Sequence, residues 1–104
     1  MKFRDARALA ECWIGAHSQG EAIIDQKWTA TLPYGWVFFW NSQAFIADPA
    51  NHRNAIFGNV PILIDRINGE LRVLGPAHWE EHLRQLEGSF PKSWFEMTPE
   101  PPQW

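Results

Sequence analysis

The run Trp36-Val37-Phe38-Phe39-Trp40 constrains this chain more than any other segment: no position in it is polar, and turn chemistry bounds it on both sides. Leu32-Pro33-Tyr34-Gly35 precedes it and Asn41-Ser42 ends it. Successive side chains of a strand point to opposite faces, so an apolar run of this kind predicts a central strand covered on both sides. A chain of 104 residues holds one compact domain and not two, so the cover must come from the same small domain. Seven Trp and seven Phe against one Tyr supply the necessary bulk. Each such ring buries about 150–250 Å².

The flanking segments predict what that cover is. Phe3, Ala6, Ala10, Trp13, Ile14 and His17 recur at helical spacing with charged residues between them, which predicts an amphipathic helix over 3–17, closed by Ser18-Gln19-Gly20. From Ala22 the period changes, and Ile23, Ile24, Trp28, Thr29, Ala30 and Thr31 predict one strand over 22–31. Residues 43–59 read as a loop with one short ordered piece around Phe45. Val60 to Arg66 predicts another well-covered strand, and Asn68-Gly69 a two-residue type I′ turn in which both residues take positive φ. Leu71, Val73 and Leu74 form the returning strand, with Gly58-Asn59 turning into the earlier one. Gly75-Pro76 breaks the pattern, and Ala77, Trp79, Leu83 and Leu86 predict a last helix up to Gly88, with Pro76 in its first turn.

The expected fold class is therefore α+β, a mostly antiparallel four-stranded sheet with an N-terminal and a C-terminal helix, in the order α-β-β-loop-β-β-α. Residues 1–88 form the domain. Residues 89–104, rich in Pro and aromatic side chains, form a C-terminal tail that cannot be regular helix and is expected to dock in part.

Composition and charge exclude several functions. An apolar share of 45% with 20% charged residues is globular and not disordered. A formal charge of −3, with nine scattered Lys and Arg, opposes an electrostatic grip on nucleic acid or an anionic membrane. The charged amino terminus and the shortness of the longest apolar stretch predict a cytoplasmic protein without a signal peptide or membrane span. Cys12 alone permits no internal disulfide and reads as a buried structural thiol.

Candidate chemical motifs are incomplete. His78 and His82 match an H-x-x-E-H pattern, yet the Pro-rich tail offers no convincing third zinc ligand. Ser42, His52 and Asp48 could be drawn as a triad, but no nucleophile elbow accompanies them. Asp65-Arg66 reads as a structural pair orienting the hairpin. No metal, cofactor or catalytic residue is expected. Trp13, Trp36 and Trp79 fall on core periodicities, whereas Trp28, Trp40, Trp94 and Trp104 sit near polar residues or in the tail, where Trp can mark an interface.

Gly35-Trp-Val-Phe-Phe-Trp-Asn-Ser42, Gly58-Asn-Val-Pro-Ile-Leu-Ile-Asp-Arg66, Asn68-Gly69-Glu70 and Gly75 together resemble the YrhB-like domain, also called the immunity protein 35 family. The resemblance covers roughly residues 3–87, the two central blocks being its specific part. Trp40, Val60, Asn68 and Pro76 depart from the residues usual there. The resemblance implies a non-enzymatic immunity protein of a bacterial polymorphic toxin system. Such a protein binds and neutralises a cognate toxin domain encoded by an adjacent gene and so protects the producing cell and its kin. A related branch implies the alternative, a stress-associated holdase that shields aggregation-prone chains. Shared blocks build the sheet, so toxin contacts are expected from variable parts. These are Asp48, His52 and Arg53 in the 43–57 loop, Glu80 and Glu81 at the start of the last helix, and Trp94 in the tail.

Overall fold

A computed structural model describes residues 1–57, 59–75 and 78–104. The expected turn at Gly58 and the expected helix start at Pro76 lie outside them. The first helix, α1 (Phe3–Ser18), buries Phe3, Ala6, Ala10 and Ile14 along one stripe. The two alanines let the helix axis lie close to the sheet. Gln19, at φ 55°, ends the helix in the left-handed conformation. Ser18 then ties it to the next strand: its hydroxyl donates to Ile14 O at 2.7 Å and accepts from Ala22 N at 3.0 Å. Cys12 is exposed, which corrects the expected buried thiol. It lies two residues from both Ala10 and Ile14, about 200° around the helix from each, and so on the solvent side.

Four strands, β2 (Ala30–Leu32), β3 (Gly35–Phe38), β5 (Ile62–Asp65) and β6 (Leu71–Val73), form an antiparallel sheet in the order β2-β3-β5-β6. A separate antiparallel pair joins β1 (Ala22–Ile24) to β4 (Trp40–Ser42). The expected strand over 22–31 is thus two strands, parted by a 3-10 turn at Gln26–Trp28. Along 36–40 the period of two holds without a break. Trp36, Phe38 and Trp40 join Ile62, Ile64 and the α1 stripe in one core, while Val37 joins Leu63, Leu74, Leu83, Trp94 and Tyr34 in the other. Phe39 packs against that second core. Both faces of the central strand are covered, as its composition requires. Each large side chain so buried contributes about 1.5–3 kcal/mol before entropy is counted.

Gly35 shows how tightly β3 and β5 approach, since a Cβ there would lie 2.2 Å from Ile64 O. The second core is closed by α3 (Trp79–Glu87) and the single turn α4 (Lys92–Phe95), held between Pro91 and Pro99. Tyr34 is buried within it and donates its hydroxyl to Glu87 Oε2 at 2.7 Å. Burial and that hydrogen bond push the phenol well above its ordinary pKa.

The β5–β6 turn differs from the expected type I′. Asp65 N donates to Glu70 O at 3.2 Å, so residues 66–69 form the loop. Gly69 has φ 69°, and Gln19 is the one non-glycine residue of positive φ among those described, which excludes Asn68. The reason is Asp65. Its Oδ1 captures Asn68 N at 2.5 Å, a side-chain turn that outcompetes the tighter backbone turn. Its Oδ2 pairs with Arg72 Nη1 at 2.9 Å, and Arg72 lies 5.0 Å from the centre of the Phe90 ring.

The tail crosses the start of α1. Glu100 accepts from Phe3 N and, through its carbonyl, from Trp36 Nε1 at 2.8 Å. Arg66 donates to Thr98 O at 2.6 Å, and Trp104 sits edge-on to Phe3 with ring centres 4.9 Å apart. Among the described residues no helix is long and apolar enough to cross a membrane.

Candidate interaction surface

The first hairpin joins two strands of unequal length, and the surplus builds a surface. Ile24 pairs with Trp40 and Ala30 with Val37, so residues 25–29 oppose only Phe38 and Phe39. Backbone that cannot join the ladder must satisfy its polar groups another way. Here Asp25 N donates to Phe39 O at 2.8 Å, and Trp28 N returns to Asp25 O at 3.2 Å. The turn carries Trp28 off the sheet and leaves it 62% exposed.

Trp28 is one wall of an open groove of about 410 Å³, lined also by Asp25, Phe39, Trp40, Asn41, Asn59 and Trp79. Phe39 and Trp79 meet edge to face there, with ring centres 5.1 Å apart. Trp40 and Asn59 also line a second groove of about 380 Å³, whose other residues are Trp13, His17, Ile56, Phe57, Val60 and Val73. His17 stacks on Trp13 at 3.7 Å, and Phe57 is 80% exposed. The two grooves thus meet at Trp40 and Asn59.

A polar frame holds this surface in place. Asn41 Oδ1 accepts from Ile56 N at 2.7 Å and from Ser42 N at 2.8 Å. Trp40 Nε1 donates to Val60 O at 2.7 Å, while Asn59 Nδ2 donates to Trp40 O. Ile56, Asn59 and Val60 are thereby stitched to β4. Asp25 is the charged member of the wall. Burial raises its pKa and nearby Lys27 opposes the rise. Lys27 Nζ lies 5.9 Å from the centre of the Trp28 ring. Among the described residues no ion pair reaches the Asp25 carboxylate. The surface combines aromatic faces with one negative charge.

The residues expected to contact a partner fall in separate places. Asp48 ends the short helix α2 (Gln43–Ala47), and His52 and Arg53 lie in the next 3-10 turn, where Asn51 Oδ1 accepts from Arg53 N at 3.2 Å. All three are exposed, as are Glu80 and Glu81 in the first turn of α3. Trp94 is different. It is 9% exposed and packs against Tyr34 and Phe90, so its ring is a core element and no exposed anchor. Trp40 is equally buried, whereas Trp28 and Trp104 are exposed.

Other candidate groups are occupied by local structure. Ser42 caps α2, its hydroxyl accepting from Phe45 N at 3.0 Å and donating to Asn54 O. His82 Nδ1 accepts from Gly75 N at 3.1 Å, while His78 is the exposed residue before α3. Among the described residues no three of His, Cys, Asp and Glu gather in a way that would hold a metal ion.

Sequence reasoning passed over Asp25 and Phe57 and read Asn59 only as part of a turn. A signal for the first was present: Asp25-Gln26-Lys27 interrupts a run otherwise read as one strand. No curated protein and no solved structure matches the chain. The family model for immunity protein 35 matches residues 4–94, a span that takes in α1 apart from Phe3, both groove-forming segments and Trp94. The chain therefore belongs to the immunity protein 35 family.

Proposed function

We propose that this protein binds one cognate bacterial toxin domain in the cytoplasm and neutralises it stoichiometrically, without turnover. Family membership over residues 4–94 is the observation that carries the reading. The exposed aromatic side chains Trp28 and Phe57 support it, because Trp and Phe left unpacked at a surface suit a protein interface. Asp48, His52, Arg53, Glu80 and Glu81 supply the polar part of the contact, and the toxin is encoded by a neighbouring gene.

Co-expression with the neighbouring gene product tests this. Cells should survive, and the purified pair should form a one-to-one complex. Substoichiometric protein should leave the excess toxin active, because a binder does not recycle. Charge reversal at Glu80 and Glu81 should weaken the complex most at low salt, where exposed charges are least screened. A protein that protects no cell, binds no neighbouring product and instead suppresses aggregation of unrelated chains is a holdase.

A further inference from the structure

We propose that the groove lined by Trp28, Trp79 and Asp25 receives an arginine side chain of the protein partner, its guanidinium laid on an indole face and its charge turned to the Asp25 carboxylate. The inference rests on the immunity reading for the partner's being a protein, and on geometry for the rest.

The groove has the composition of a cation receptor. Trp28, Phe39 and Trp79 line it beside the buried Trp40, and aromatic faces attract cations through their quadrupoles. Asp25 adds a formal negative charge, partly withdrawn from water and without an ion pair among the described residues. An unpaired carboxylate in such a wall is a cost to the free protein that an incoming cation removes. The molecule already tolerates a cation nearby, since Lys27 Nζ stands 5.9 Å from the Trp28 ring centre. Lys27 is exposed, and although its charge is felt at Asp25 it does not reach the carboxylate within ion-pair distance.

Guanidinium fits better than ammonium. It is planar, stacks on indole, is weakly hydrated and can pair with a carboxylate through two donors. A phosphate-bearing ligand is opposed by Asp25 and by the net charge of −3. The same negative balance makes a basic toxin surface the complementary partner.

The test uses the full-length protein and N-acetyl-arginine methylamide as probe, read by the indole N–H signals in ¹H–¹⁵N NMR. Trp28→Phe and Trp79→Phe variants identify the two signals. The probe should shift both with a dissociation constant of about 10 mM, which suits one stacked cation and one charge pair. The neutral isostere N-acetyl-citrulline methylamide should bind at least about ten-fold more weakly, and so should the arginine probe to Asp25→Asn. Asp25→Asn keeps the side-chain shape, and its undisturbed remaining indole signals report an intact fold. Absence of shifts at Trp28 and Trp79, equal binding of citrulline, or parent-like binding by Asp25→Asn would overturn the proposal. So would a concentration-dependent shift of the same signals in the protein alone, which would place a second copy in the groove. The two readings fail separately. Probe binding without neutralisation of any toxin leaves the cation site standing and removes the immunity reading. Full neutralisation by a Trp28→Ala/Asp25→Asn protein that no longer binds the probe keeps the immunity reading and removes the groove from it.

Discussion

Asp65 and Asp25 both lie at the end of a strand, and the molecule treats them in opposite ways. Asp65 is fully buried, yet its oxygens are taken by Asn68 N and by Arg72, whose own fork also reaches Glu70 at 2.9 Å. Asp25 is only partly buried, and no ion pair reaches it among the described residues. A buried charge with partners is part of the fold, because removing either partner strands the other. A half-buried charge without partners destabilises the free protein slightly and becomes useful only when something binds. Burial alone does not tell what a carboxylate costs the fold. The supply of partners does.

The largest effect should come from breaking the satisfied site. Asp65→Ala takes from Arg72 the buried one of its two carboxylate partners, leaving it Glu70 at the surface, and removes the acceptor that shapes the 66–69 loop. A loss of about 3 kcal/mol is expected from urea unfolding, and parent-like stability would mean the pair is ornamental. Trp94→Ala should also lower stability by about 3 kcal/mol, since it empties the second core. Its effect on toxin binding should then vanish once measured at a temperature where the variant is fully folded. Smaller is Tyr34→Phe, which leaves Glu87 without the phenol donor and should cost about 1 kcal/mol.

The unsatisfied site should respond with the opposite sign. Burial raises the Asp25 pKa in the folded state, so the folded protein holds that proton more tightly than the unfolded chain. The penalty is absent below the unfolded value of about 3.9, where both states are protonated, and grows as pH rises through the folded pKa. Asp25→Asn should therefore raise the melting temperature modestly at pH 7, and the gain should shrink as pH falls toward 4. A loss of stability at pH 7 would mean Asp25 has a partner. Trp28→Ala should change stability least, the ring being largely exposed.

Much of the fold was legible because the patterns are local. The α1 stripe Phe3-Ala6-Ala10-Ile14 follows from a period of 3.6, and the all-apolar 36–40 run dictates a strand covered on both faces. The 66–69 loop was legible in place and not in type. The Asx interaction that decides its type depends on which side of β5 Asp65 occupies. The break in the 22–31 run was hidden for a similar reason. A ladder is a property of two strands, and only the register against 35–42 shows that residues 25–29 have too few partners.

The tryptophans draw the same boundary. The sequence by itself determined that large rings must cover both faces of one central strand, and that the charge balance disfavours a polyanionic partner. Sorting the rings was beyond it. Trp40 is buried because Val60 O, distant in sequence, accepts its indole N–H, and Trp94 because Tyr34 and Phe90 meet it. Trp28 is left outside because the turn beneath it has no strand to pair with. Periodicity records which way a side chain points within its own element. Only the tertiary structure decides what stands opposite, and that is what separates a core ring from an exposed one and an ion-paired aspartate from one without an ion pair.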